Sequence, residues 1–223
     1  MFKVILIDID DTILDFNKCA EYAMKKAAVD FNISWQDEIY KVFTVENPIL
    51  WQNIEKGILT KDELHRTRWN IVFAKLGIVA DGEEFEKRFR YHLESSAEKM
   101  EGAEDLLVYL KSKYKVYAAS NAHYEQQLKR MALADFSKYI DGYFISEKIG
   151  AEKPSKEFFD ACLAGLDGVS KSEVIMIGDS LSADIKGAKE YGLTSIWMKG
   201  RKEGECAFAD YTVSKLEEIK EII

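Results

Sequence analysis

Apolar positions follow two rhythms along the chain. Short runs dense in branched aliphatic and aromatic residues recur at intervals: FKVILID at the start, KVYAAS ending at Ser120, YFIS ending at Ser146, VIMIGD ending at Asp179 and TSIWMK ending at Lys199. Helical stretches lie between them, and that alternation predicts a parallel α/β sheet. VILI and VIMI are apolar at every position rather than at alternate ones, as a strand covered by helices on both faces requires. From about Asp15 to Ala97 the rhythm turns helical, in AEYAMKKAAVDF, DELHRTRWNIVFAKLG and GEEFEKRFRYHLESSAEKM, with no convincing strand. The expected architecture is a doubly wound, mostly parallel α/β sheet made by residues 1–14 and 98–223, with an all-helical insertion at 15–97. Pro48 and Pro154 are both expected in loops. The closing YTVSKLEEIKEII suits a last short strand and a helix.

A chain of 223 residues fits one core carrying a sizeable insertion. Its 47% hydrophobic and 31% charged residues are the composition of a globular protein with a well-buried core. No apolar run approaches the roughly 20 residues that cross a bilayer, and no basic leader precedes the first apolar stretch, so a cytoplasmic location away from membranes is expected. Cys19, Cys162 and Cys206 are scattered without CxxC spacing and are expected to serve packing rather than a disulfide or zinc site. A net charge of −8 with dispersed lysines and arginines disfavours polymeric nucleic acid as a partner. A small anion remains open, because a metal ion and one or two lysines can make a local positive site in an acidic protein.

VILIDIDDTILDF ends in a crowd of acids, Asp8, Asp10, Asp11 and Asp15. Ligands of open parallel sheets gather beyond the carboxyl ends of the strands, near the point where strand order reverses. Asp8, Ser120 and Asp179 each sit at such an end. Asp8 and Asp10 are two apart and share one side if the extended path continues. Close carboxylates resist ionising together unless a cation is present, and an all-oxygen set suits a hard ion such as magnesium.

The order DIDDT, SNA, AEKPS and GDSLSAD resembles the motif series of the haloacid dehalogenase superfamily over essentially the whole chain. Asp8, Asp10 and Thr12 match its first motif, Ser120 the second, Lys153 the third, and Asp179 and Asp184 the fourth. Ser155 and Lys156 depart from the acidic residue and proline that relatives often carry there. The resemblance implies a Rossmann-like core under a helical cap of the C1 type. It further implies phosphoryl transfer, with Asp8 as nucleophile and Asp10 as acid and base. Ser120, the Asn121 backbone N–H and Lys153 would steady the phosphoryl oxygens. Mg2+ would be held by Asp8, the Asp10 carbonyl oxygen and Asp179, with Asp184 completing the metal site by orienting a bound water or Lys153.

Each residue also has a plainer reading. Taken alone, DxDxT is a strand-end turn, Lys153 a solvated lysine and Asp184 a helix cap. Asp11 and Asp15 read as local turn and metal-field acids rather than catalysts, and His65, His92 and His123 lack ligand spacing, with His123 kept as a minor candidate because it follows SNA. A phosphate-accepting receiver module groups similar residues around magnesium, but its acceptor aspartate would precede the Ser120 position and none does. Within the resembled family, dehalogenases lack the second acid of the first motif, so Asp10 favours phosphoryl chemistry. A phosphomutase would use the same residues.

The segment ENPILWQNIEKGILTKDELHRTRW is similar to the cap of cytosolic 5'-nucleotidases that act on pyrimidine and non-standard nucleoside monophosphates. It makes Asn47, Trp51, Arg66, Arg68 and Trp69 candidate substrate contacts. The competing reading is that the tryptophans pack helices and the arginines pair with acids. The resulting expectation is a Mg2+-dependent phosphomonoester hydrolase acting on a small phosphorylated metabolite, a nucleoside 5'-monophosphate. A sugar-phosphate or phosphoglycolate phosphatase, or a mutase, is the alternative.

Overall fold

The computed structural model describes residues 1–200, 204 and 206–223. Among the described residues, six strands form one sheet in the order β3-β2-β1-β4-β5-β6. They are β1 (Val4–Ile7), β2 (Lys115–Ser120), β3 (Gly142–Ile145), β4 (Val174–Gly178), β5 (Thr194–Met198) and β6 (Tyr211–Val213), and every neighbouring pair is parallel. The chain winds outward from β1 in both directions, so the reversal of strand order falls between β1 and β4. That is where the carboxyl ends of a doubly wound sheet leave a crevice.

The unbroken apolar character of β1 and β4 follows from their place in the middle. Ile5, Ile7, Ile175 and Ile177 enter a core with Leu106, Leu110 and Met131, while Val4, Leu6, Val174 and Met176 enter a second core with Phe158, Phe159 and Cys162. Successive side chains point to opposite faces and both faces are dry, so neither set tolerates a polar residue. The sheet belongs to a compact unit of Met1–Asp15 and Ala97–Ile223. Its helices are α5 (Ala103–Lys113), α6 (Tyr124–Leu133), α7 (Ser146–Ile149), α8 (Lys156–Ala164), α9 (Gly187–Tyr191) and α10 (Ile219–Ile222).

The other compact unit, Phe16–Ser96, is entirely helical among the described residues. It comprises α1 (Phe16–Asp30), α2 (Asp37–Glu55), α3 (Lys61–Leu76) and α4 (Gly82–Leu93). Its core is aromatic, with Phe43, Trp69, Phe73, Phe85 and Phe89 meeting the small Ala20, Ala23 and Ala27 of α1. The helix α3 starts at a reciprocal cap between Thr60 and Glu63 and stops at Gly77, whose φ of 66° is left-handed. Asp81 caps α4 through the N–H groups of Glu83 and Glu84.

Of the two prolines expected in loops, one lies elsewhere. Pro48 lies inside α2, not in a loop. Ile39, Phe43, Leu50 and Ile54 recur at helical spacing and bury one face, while Pro48 is exposed on the other. A proline in a helix interior costs about 3 kcal/mol, and burying four large apolar side chains at about 1.5 to 3 kcal/mol each outweighs it. Pro154 does lie in a loop. No described helix is long and apolar enough to cross a membrane. The cysteines are free, Cys19 and Cys162 within the cores.

Candidate active site

Asp8 is the first residue beyond β1, and its N–H donates to the Ile177 carbonyl at 2.8 Å, extending the ladder one step towards β4. Its side chain is thereby delivered to the strand-order reversal, where only 8% of the residue is exposed. Lys153 arrives from the loop between α7 and α8 and is buried as deeply. Its ammonium donates to Asp8 Oδ1 at 2.7 Å, to Asp184 Oδ1 at 2.6 Å and to the Ala119 carbonyl at 2.6 Å. Three donors meet three acceptors, so the lysine has a single orientation.

Its loop is tied to the end of β2 by Asn121. The Asn121 amide donates to the Lys153 carbonyl and accepts from the Lys153 N–H, both at 2.8 Å. The sequence offers Asn121 for its backbone N–H; the structure adds this side-chain role.

Asp184 stands in a wide, π-type turn, Leu181–Lys186, opened by Ser180, whose hydroxyl accepts from the Ala183 N–H. One Asp184 oxygen holds Lys153 and the other accepts the Ser180 N–H at 3.0 Å. The carboxylate presses on Gly178, where an added Cβ would lie 2.7 Å from the Asp184 Cβ. Glycine is needed there for space. Of the two roles expected for Asp184, orienting Lys153 is the one its contacts display.

Asp8, Asp179 and Asp184 each place an oxygen within 4.8 Å of the others. Burial pushes the Asp8 carboxyl well above the ordinary range, the charges of Asp184 and Asp179 push it further, and Lys153 only partly opposes them. Burial would lower the Lys153 ammonium, but the Asp184 and Asp8 carboxylates beside it raise it instead, so it stays charged. Three acids beside one ammonium leave an excess of acid, with Asp8 and Asp184 buried and Asp179 half-buried. A hard divalent cation on Asp8 and Asp179 fits that donor set and would remove the excess.

Asp10 takes a different direction from Asp8. The chain turns sharply after it, with Asp11 at a φ of 56° and the N–H groups of Ile13 and Leu14 both returning to the Ile9 carbonyl. The Asp10 carboxylate meets α6, accepting from Arg130 Nη1 at 2.6 Å and from Gln127 Nε2 at 2.7 Å. It is not part of the three-acid cluster. Ser120 closes β2 with its hydroxyl accepting from the Ala122 N–H at 3.2 Å and from Gln127 Nε2 at 3.0 Å. Gln127 and Arg130 escaped the sequence reading. Only a polar pair on an otherwise buried helix face marks them, and in YEQQLKRMAL polar residues are too many for that face to stand out.

The helical unit redistributes its own candidates. Trp69 is 0% exposed and packs on Phe43, Phe73, Phe85 and Phe89, with ring centroids 4.5 to 5.8 Å away. It has no free face on which a base could stack, which corrects its candidacy. Arg68 and Asn47 are likewise internal. Arg68 grips the buried Glu86 through Nη2 at 2.6 Å and donates to Asn47 Oδ1 at 2.8 Å. Arg66 is exposed, and Trp51 is half-buried against Leu50, Ile54 and Leu64. His65 pairs with Glu86, His92 with Asp30 and His123 with Glu147.

A family model described as a haloacid dehalogenase-like hydrolase matches residues 2–192. YfnB of Bacillus subtilis, named as a HAD-hydrolase, is 32% identical over 224 residues, covering 100% of this chain and 95% of that protein. Its crystal structure, described as bound to magnesium, superposes with a TM-score of 0.94, covering 99% of this chain and 98% of that one. The pyrimidine 5'-nucleotidase PynA of Streptococcus pneumoniae is 33% identical over 88% of this chain and 83% of its own length. A glyceraldehyde 3-phosphate phosphatase of Pyrococcus furiosus is 26% identical over 99% of this chain and 92% of its own.

Proposed function

This chain belongs to the haloacid dehalogenase-like hydrolase family, and we propose that it is a magnesium-dependent phosphatase that passes the phosphoryl group through Asp8 and acts on nucleoside 5'-monophosphates. The observation that carries the chemistry is the Asp8–Lys153–Asp184 assembly at the β1/β4 crevice, with Ser120 at the end of the adjacent β2.

The Asp8 oxygen that does not hold Lys153 attacks phosphorus and the ester P–O bond breaks, leaving an aspartyl-phosphate. Asp10 gives its proton to the departing alkoxide, then takes one from the water that attacks the same phosphorus, releasing phosphate and restoring Asp8. Lys153, held charged, offsets the negative charge spreading over the phosphoryl oxygens, and the Ser120 hydroxyl donates to one of them. A magnesium ion held by Asp8, Asp179 and the Asp10 carbonyl would supply the remaining positive charge.

The substrate reading is supported by the likeness to PynA and by the cap-like segment from Asn47 to Trp69. The helical unit is assigned selectivity for the leaving group, with Trp51 and Arg66 as the candidates that its own packing leaves at least partly exposed. Small sugar phosphates are the second reading, favoured by the likeness to the glyceraldehyde 3-phosphate phosphatase. Phosphate release across pyrimidine and purine nucleoside monophosphates, glyceraldehyde 3-phosphate and phosphoglycolate separates the two. The highest kcat/KM is expected on a pyrimidine nucleotide, and a preference for the three-carbon phosphate would move the assignment to the second reading.

A further inference from the structure

We infer that Gln127, backed by Arg130, is the positioning residue that sets both groups flanking the phosphoryl position, the Asp10 carboxylate and the Ser120 hydroxyl. The inference rests on the phosphatase reading of Asp10 and Ser120 given above. Gln127 and Arg130 lie three apart on one face of α6 and are both 0% exposed. The Gln127 amide spends its two protons on the two groups, Asp10 Oδ2 at 2.7 Å and Ser120 Oγ at 3.0 Å. Its own oxygen accepts from Arg130 Nη1 at 3.1 Å, and the same guanidinium nitrogen donates to Asp10 Oδ1 at 2.6 Å.

The amide therefore has one workable orientation. Exchanging its oxygen and nitrogen would aim the oxygen at a carboxylate and the NH2 group at a guanidinium, two repulsive contacts in a buried place.

Two consequences bear on the reaction. Each Asp10 oxygen is held by one donor, which fixes the rotamer of the carboxylate, while a quarter of the side chain stays exposed. A general acid must meet the leaving oxygen at hydrogen-bond distance, so a fixed rotamer counts directly towards the rate. For Ser120, the Ala122 N–H and the Gln127 amide occupy both hydroxyl lone pairs. The hydroxyl proton is then left to donate to a third group, the polarity a phosphoryl oxygen needs. With the Gln127 donor gone, the hydroxyl can rotate and turn its proton inward.

The bland reading is that Gln127 merely satisfies the buried Arg130. The two readings part on leaving-group dependence, because a group that places a general acid matters most when the leaving oxygen needs a proton. The experiment compares kcat/KM, which reports the steps up to leaving-group departure, on a nucleoside monophosphate and on p-nitrophenyl phosphate. It uses wild type, Asp10→Asn, Gln127→Met, Gln127→Glu and the Asp10→Asn/Gln127→Met double variant. Gln127→Glu keeps the shape and the acceptor for Arg130 while removing both donors, so it tests the inference even where Gln127→Met melts early.

Asp10→Asn is expected to lose roughly a hundredfold on the nucleotide and much less on the aryl ester. Both Gln127 variants are expected to lose roughly tenfold on the nucleotide, again less on the aryl ester, with Gln127→Met adding little on top of Asp10→Asn. If Asp10→Asn is selective but the Gln127 variants lose equally on both esters, or Gln127→Met adds in full to Asp10→Asn, Gln127 is structural and the inference is overturned while the reading of Asp10 stands. Equal losses in Asp10→Asn itself would overturn the reading, and the inference with it.

Discussion

Replacing Trp69 separates packing from substrate contact within the helical unit. The indole is fully enclosed by Phe43, Phe73, Phe85 and Phe89, the closest ring at a centroid distance of 4.5 Å. Trp69→Ala removes that filling and leaves a void lined by rings that cannot collapse without leaving their own rotamers, a change that costs about 3 to 5 kcal/mol. For a unit the size of Phe16–Ser96, each kcal/mol moves the melting temperature by about 4 to 8 °C, so a fall of about 12 °C or more is expected in the transition of that unit. Trp69→Phe should behave otherwise. The Trp69 indole N–H has no hydrogen-bond partner among the described residues, so the phenyl ring gives up volume but also sheds a buried unsatisfied donor worth about 1 to 3 kcal/mol. The two effects oppose, and a net change within about 1 kcal/mol is expected. Thermal melts followed by circular dichroism, with kcat/KM measured on a nucleotide and on p-nitrophenyl phosphate, make the test. A Trp69→Ala protein that melts like wild type yet loses nucleotide turnover selectively would refute the packing assignment.

Other perturbations have equally definite outcomes. Gly178→Ala drives a methyl group into the Asp184 carboxylate, which Lys153 and the Ser180 N–H hold in place; a loss of about 1 to 3 kcal/mol in stability and roughly ten- to a hundredfold in kcat is expected, measured by melting and by phosphate release. Burial opposes ionisation of Glu86, but the Arg68 guanidinium and the His65 hydrogen bond win and hold its carboxyl below the ordinary value of 4.5. Its stabilising effect is therefore present above that value and lost as pH falls through the lower folded-state pKa. In melts across pH, Glu86→Gln should be about 3 to 5 kcal/mol less stable at neutral pH, because Arg68 is left buried without its partner, and should lose that acid dependence. Trp51→Ala should lower kcat/KM on nucleotides roughly tenfold while sparing phosphoglycolate, if its partly exposed indole stacks on a base; equal losses on both would make it a packing residue. Chelator should abolish turnover, with magnesium or manganese restoring it and zinc a poor substitute.

What the sequence discloses, and what it hides, follows from how local each signal is. The central strands were legible because β1 and β4 are apolar on both faces, and only a strand between two helix layers needs that. Asp8, Ser120 and Asp179 were legible as a converging set because each sits at or just beyond a strand end, and the topology then brings them together without further information. The helix α2 was hidden by Pro48, a strong local breaker whose penalty is outweighed by apolar contacts distant in sequence. Trp69 and Arg68 invited a surface role because composition does not say which side of α3 faces inward. Burial settles that, and it depends on α1, α2 and α4. Gln127 and Arg130 are the hardest case: their partners Asp10 and Ser120 are distant or on another element, and no spacing within α6 records the contact.

In the proposed reaction the Asp8 carboxylate receives the phosphoryl group. The direct measurement is the initial rate of phosphate release from a pyrimidine nucleoside monophosphate by Asp8→Asn, at saturating magnesium, in a preparation whose melting curve shows it folded. An amide in that place is a poor nucleophile, and Lys153 and Asp184 remain to hold the crevice together, so turnover should fall to the level of buffer. Turnover near that of wild type would show that the phosphoryl group does not pass through Asp8.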